Sequence, residues 1–277
     1  MAKGIGLIGN FKGKVGNTVG YKLTASNNGQ TQGIRVYQPI VKNPKSAGQA
    51  EQRAKLLAVN ATYRALKMVI DRGNEGLPYG NKSRLAWLKT ALKAEKMPWF
   101  VKGSIPTHLV GCQLTKGTLS SIRSTTNGEV LDISCNGVTA ASDVTTIGKV
   151  STLLKTAYAF LKEGDQITIV VAMPGATAPM VNVNSFVIDS TSTTAQSLLG
   201  AGENKLQLEP VDVIIASAII VSREGDNGEH LRSTESLLIP DNTLANTPYD
   251  ADSKAAAIAS YRASDASNSD WAEESIQ

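Results

Sequence analysis

V-K-N-P-K-S-A-G-Q-A-E-Q-R-A-K-L-L-A-V-N-A-T-Y-R-A-L-K-M-V-I-D-R-G, residues Val41 to Gly73, reads as one long helix with a marked start and stop. Pro44 disfavours a helical Asn43, so the helix begins just after it. Ser46 and Gln49 have capping-box spacing, in which the hydroxyl accepts from the third helical amide. Gly73 fits a left-handed residue that ends the helix, with Arg72 in the last turn facing the negative end of the dipole.

Two apolar seams run along this helix. Ala50, Ala54, Leu57, Ala61, Ala65 and Met68 form one; Leu56, Val59, Tyr63, Leu66 and Ile70 form the other. Both follow three/four spacing, so each seam stacks on one face. Together they are wider than an isolated surface helix needs. The Ala-rich seam allows close approach by a neighbouring helix or another subunit.

On the C-terminal side, N-E-G-L-P-Y-G-N-K is a loop, and Ser83 to Ala94 reads as a second helix with Leu85, Leu88 and Leu92 on one face. The short loop suits an antiparallel pair, so residues 41–103 are expected to form a helical hairpin. Lys82, Arg84, Lys89 and Lys93 make its outer side basic and are the candidate DNA-facing residues.

On the N-terminal side, residues 1–40 are glycine-rich and alternate, with Ile5, Leu7, Phe11, Val15, Val19, Tyr21 and Leu23 at mostly even spacing. That pattern suits strands, and Asn28-Gly29 is a hairpin turn signal. The reading is a β-hairpin arm. Gly13 to Gly20, G-K-V-G-N-T-V-G, lacks the order of a phosphate loop, and no helix follows it.

From residue 104 the character changes. Short apolar runs alternate with turns at Asn127-Gly128, Asn136-Gly137, Pro174-Gly175 and Asp226-Asn227-Gly228. Strands are expected at Leu109–Leu114, Thr118–Ile122, Glu129–Cys135, Gln166–Met173, Asn182–Ile188, Lys205–Leu208 and Val211–Val221, the last of these central. Val150–Lys162 is a helix among them. Residues 104–240 therefore read as a β-sandwich-like domain with one packed helix, and the whole chain as α+β. Residues 241–277 are small, polar and acidic: a tail or strap with one short helix near Ser253–Ala263.

The chain has 277 residues and a net charge of +4, unevenly spread. Residues 1–100 carry 17 Lys or Arg against 4 Asp or Glu, a balance of +13, and the remainder 11 against 20, a balance of −9. Such a split suits a nucleic-acid-facing end, or two surfaces that attract each other in an assembly. No run has the length of a membrane span, so no membrane partner is expected. Cys112 and Cys135 form neither a zinc pattern nor a disulfide framework. His108 and His230, the only histidines, sit in no catalytic motif. Neither an enzyme nor a cofactor is expected.

Gly9-Asn10-Phe11-Lys12-Gly13-Lys14-Val15-Gly16 gives a G-x-F-x-G-K-V-G motif. Asn43-Pro44-Lys45-Ser46 with Gln49 and Arg53 then gives N-P-x-[S/T]-x-x-Q-x-x-x-R. The combination resembles a family of uncharacterised proteins found in Bacteroidetes and their phages. Lys116-Gly117-Thr118-Leu119 and Ser222 to Leu238 are also similar, and Leu161 to Thr168 is similar to a segment of proteins from crAss-like gut phages. The resemblance spans residues 5–240. It implies a virion protein of a tailed phage: a neck, tail-ring or capsid-associated subunit with copies of itself and portal or tail components as neighbours, and packaged DNA nearby. Phe11, Tyr21, Leu57, Ala61, Tyr63 and Trp271 are the candidate assembly contacts. The competing reading is a DNA-binding protein that uses the basic first hundred residues.

Overall fold

A computed structural model describes residues 13–15, 17–22, 32–36, 46–208, 213–226, 228–240 and 247–263. The chain divides into two compact units, Met1–Pro44 and Lys45–Gln277. In the first, β1 (Gly13–Val15), β2 (Thr18–Lys22) and β3 (Gln32–Val36) form a three-stranded antiparallel sheet in sequence order. The expected hairpin thus has a third strand, because a turn at Asn17 splits the first alternating run in two. The Asn28-Gly29 turn lies outside the described residues.

The second unit starts with the long helix, in two pieces. α1 spans Ala47–Ala65 and α2 spans Lys67–Ile70, with Leu66 between them at φ −112° and ψ 20°. Ser46 caps α1, its hydroxyl accepting from the Gln49 amide at 3.3 Å. Gly73 is a correction. It has no positive φ, and a Cβ there would sit 2.6 Å from the Leu114 carbonyl oxygen, so close approach rather than a left-handed turn demands the glycine. α3 (Asn81–Ala91) follows.

Next come β4 (Gln113–Thr115), β5 (Ser124–Thr126), β6 (Leu131–Ser134), α4 (Ile147–Ala157), β7 (Gln166–Met173) and β8 (Met180–Val187). β9 (Gly200–Gly202), β10 (Lys205–Leu208), β11 (Ala216–Glu224), β12 (His230–Arg232), β13 (Glu235–Ser236) and α5 (Ala251–Arg262) complete the chain order. The protein is mixed α+β. All strand pairs within the sheets are antiparallel: one sheet is ordered β12-β11-β7-β8, a second β5-β6-β10-β9, and β13 pairs with β4. The expected strand at Thr118–Ile122 is absent apart from one bridge, Leu119 to Ser233.

The sheet holding β7 and β11 is central because both strands are apolar on both faces. Ile167, Ile169, Val171, Ile219 and Val221 pack with Leu131, Ile133 and Leu206 of the second sheet and with Val150 and Leu154 of α4. Val170, Ala172, Ala216, Ala218 and Ile220 face the other way, into a core shared with Ala54, Ala58, Val59, Trp87 and Leu109. Two-residue alternation thus feeds two cores from one pair of strands. The divisions drawn from sequence at residues 103 and 240 fall inside this single unit.

α5 lies along α1, with buried Ala257 in the same core as Ala54 and Ala58. The N-terminal part of the Ala-rich seam is therefore covered by a helix from the chain's own C-terminal region, whereas its last member, Met68, is exposed. Trp99 anchors the connection: its amide donates to the Pro248 carbonyl at 2.7 Å, and Lys254 lies 5.0 Å over its ring.

Candidate functional site

The helix-facing side of the central sheet changes polarity along its length. Even-numbered residues of β7 read Gln166, Thr168, Val170, Ala172; those of β11 read Ala216, Ala218, Ile220, Ser222, Glu224. The register aligns them in rows. Ala216, Ala172 and Val181 form one; Ala218, Val170 and Val183 the next; Ile220, Thr168 and Ser185 a third; Arg232, Ser222, Gln166 and Val187 a fourth. The apolar rows lie under the helices. The polar rows do not, and they floor an open groove of about 450 Å³.

One wall of the groove comes from α2 and the loop after it. Met68 is 82% exposed and Tyr79 50% exposed. The Arg72 guanidinium sits 5.6 Å over the Tyr79 ring, and that ring lies 5.9 Å from His230. The far wall is β8, an edge strand that pairs with β7 alone among the described strands. Its sequence, M-V-N-V-N-S-F-V, has no charge and no proline, and Met180, Val183 and Val187 are half exposed. Edge strands are ordinarily blunted by Lys, Pro or bulges, and this one carries neither Lys nor Pro.

Two carboxylates outside the lining hold two of its residues, Arg223 and Arg232. Asp165, 1% exposed, takes a two-pronged contact from Arg223, Nε to Oδ1 at 2.6 Å and Nη2 to Oδ2 at 2.7 Å. This hydrogen-bonded pairing holds the Arg223 guanidinium above its ordinary value. Glu75 accepts from the Thr118 amide at 2.9 Å and the Arg232 amide at 3.1 Å. Partial desolvation raises the Glu75 carboxyl, but these bonds outweigh it and hold the carboxyl below its usual range.

The groove offers guanidinium and imidazole donors, exposed apolar side chains and an open strand edge. Those parts suit the binding of an extended chain. Among the described residues no group of three His, Cys, Asp or Glu is placed to hold a metal, and no helix is long and apolar enough to cross a membrane.

The sequence-derived candidates fall elsewhere. Leu57 and Tyr63 are half-buried and pack on their own core, and Ala61 is half-buried beside them on α1. The Tyr63 hydroxyl donates to Asp71 at 2.8 Å, and Arg84 stacks 4.5 Å over its ring. Lys82, Lys89 and Lys93 are exposed at spacings of seven and four, so they share a stripe, whereas Arg84 points to the Tyr63 side. Tyr21 stands opposite Gly33 between β2 and β3. Phe11 and Trp271 lie outside the described residues. The groove itself was signalled by the change from apolar to polar along alternate residues of β7 and β11, a pattern visible only once the shared face is known. No family model, curated protein or solved structure matches the chain.

Proposed function

We propose that this chain is a structural subunit of a tailed-phage particle, a neck, tail-ring or capsid-associated protein that assembles with copies of itself and with neighbouring virion proteins. The observation that carries the reading is β8: eight residues of uncharged, half-exposed edge strand beside an open half-sheet. Such an edge is a template for pairing with another chain, and leaving it bare invites uncontrolled association. The separate N-terminal unit adds a second contact element, with six Lys or Arg and no Asp or Glu in Met1–Pro44. Contacts between unlike patches of identical subunits close into rings when the rotation permits.

The mass of the full chain in solution, measured by light scattering, tests this. A defined oligomer is expected, and Val183→Lys on β8 should reduce it to monomer. A full-length monomer at every concentration overturns the assembly reading.

The stripe of Lys82, Lys89 and Lys93 supports the second reading, a DNA contact. Neutralising all three should then weaken DNA binding and flatten its salt dependence, while Arg84→Gln should change it little. DNA binding that is absent at low salt removes this reading.

A further inference from the structure

We propose that β8 pairs with β8 of a second copy, antiparallel about a two-fold axis at Val183, and so fuses two four-stranded sheets into one of eight strands. The proposal rests on the assembly reading and names the contact that would build it. β8 is open in the two ways such pairing needs. Among the described residues β7 is its sole strand partner, so its outer backbone groups face no neighbouring strand. Its side chains are exposed on both faces, Asn182 and Asn184 on one, Val183, Ser185 and Val187 on the other. A strand arriving in the plane of the sheet finds these positions uncovered.

The sequence of β8 selects its own copy. M-V-N-V-N-S-F-V holds no charge, so it offers no sign for a charged partner to read, and two copies side by side bring no like charges together. Two-fold symmetry then restricts the register. The axis of an antiparallel pair stands perpendicular to the sheet, so facing residues point to the same side and their numbers share a parity. The fullest overlaps centre on Val183 or on Asn184. Centred on Val183, that residue meets itself, Asn182 meets Asn184 and Met180 meets Phe186; only Val181 opposite Ser185 joins unlike side chains. Hydrogen-bonding side chains and a sulfur beside an aromatic ring are both favourable as facing pairs. Centred on Asn184, Phe186 faces Asn182 and Val183 faces Ser185, which sets apolar groups against polar ones.

The rows of the sheet agree with the first register. Val183 continues the row of Ala218 and Val170. Pairing Val183 with itself carries that row into the second copy with every member apolar. A two-fold patch closes at two copies, so the dimer is the unit and a larger ring has to use a second patch.

The test is disulfide trapping in the full-length chain with diamide, alongside light scattering on the reduced proteins. Facing residues of an antiparallel pair lie about 4.5–5.5 Å apart at Cα, inside the span a disulfide bridges. The two native cysteines are buried and do not compete. Val183→Cys is expected to link to itself as a covalent dimer. Val181→Cys and Ser185→Cys each sit four residues out of register with their own copies, roughly 13 Å along the strand. Each should stay unlinked alone and give a mixed dimer when combined. Val183→Lys and Val183→Glu should each be monomeric and their mixture dimeric, because the axis sets each charge against its own copy; the rescue rules out misfolding. Self-linking at Asn184→Cys in place of Val183→Cys overturns the register. An oligomer that Val183→Lys abolishes, with none of these cysteine variants linking, overturns the second β8 as occupant of the edge. An oligomer that Val183→Lys leaves intact overturns this contact alone, and a full-length monomer at every concentration overturns it together with the assembly reading.

Discussion

Thr62 accepts a hydrogen bond from the Val110 amide at 3.0 Å while its own hydroxyl donates to the Ala58 carbonyl at 3.0 Å. Thr62 and Val110 are each fully buried. The hydroxyl thus satisfies a backbone donor that nothing else reaches, and it pins residues 109–112 to α1. Thr62→Val keeps the shape and orphans the amide; it should cost about 1–3 kcal/mol in urea unfolding, and Thr62→Ser should recover much of that. Equal losses for Val and Ser would remove the hydrogen-bonding explanation.

The Asp165–Arg223 pair is a second buried connection, since Arg223 also donates to the Phe160 carbonyl at 2.7 Å. Asp165→Leu alone leaves a guanidinium without its partner and should cost about 3–5 kcal/mol. The double variant Asp165→Leu/Arg223→Met should be markedly more stable than the single one. Urea midpoints for the three proteins decide it, and a double variant no better than the single would count against the pairing argument.

Gly73→Ala should destabilise by about 1–3 kcal/mol, because the new methyl meets backbone at Leu114, which has no flexible end to swing away. Gly76→Ala is the contrasting control. Its Cβ meets nothing, but its φ of +74° strains any other residue, so a smaller loss of about 1 kcal/mol is expected from backbone conformation alone. Thermal unfolding of both variants separates clash from conformation, and a harmless Gly73→Ala would refute the close-approach account.

Burial pushes the Cys112 thiol up to about 12 and the Cys135 thiol up to about 11, from an ordinary 9.0. Neither should react with a thiol reagent at pH 8 until the protein unfolds. The folded values lie above the unfolded ones, so between pH 9 and about 11 the unfolded chain loses thiol protons that the folded chain keeps. Stability from both groups is present below pH 9 and declines through that window, by up to about 1.4 kcal/mol per thiol per pH unit. Denaturation midpoints at pH 8, 9 and 10 test the sign; a midpoint that climbs would contradict it.

Local chemistry made much of this fold legible. The Ser46 cap is side chain to near backbone, and the Asn127-Gly128 and Asn136-Gly137 turns need only a residue at positive φ, as Gly128 and Gly137 show at +95° and +89°. The strand Gln166–Met173 matches its expected bounds because the apolar run from Ile169 to Met173, extended back by Ile167, follows directly on the turn at Gly164. What was hidden depends on partners distant in sequence. Nothing near Leu66 marks the break between α1 and α2. Thr62 reads as a polar blemish on a helix until residue 110 arrives. The β5 segment, S-T-T, has too little apolar character to declare itself without β6 beside it. The candidate site was illegible for the same reason: its residues come from α2, the loop at Tyr79 and five strands, and only tertiary pairing assembles them.

The covering of α1 by α5 has a consequence for the order of events in the cell. α1 leaves the ribosome before any strand of its own unit, and α5 after every other described element. The Ala50–Ala54–Ala58 stripe therefore waits for its lid through the synthesis of nearly 190 residues, from Ala65 to Ala251. The helix layer cannot close on the nascent chain, and the unit reaches its final packing only after translation has passed α5.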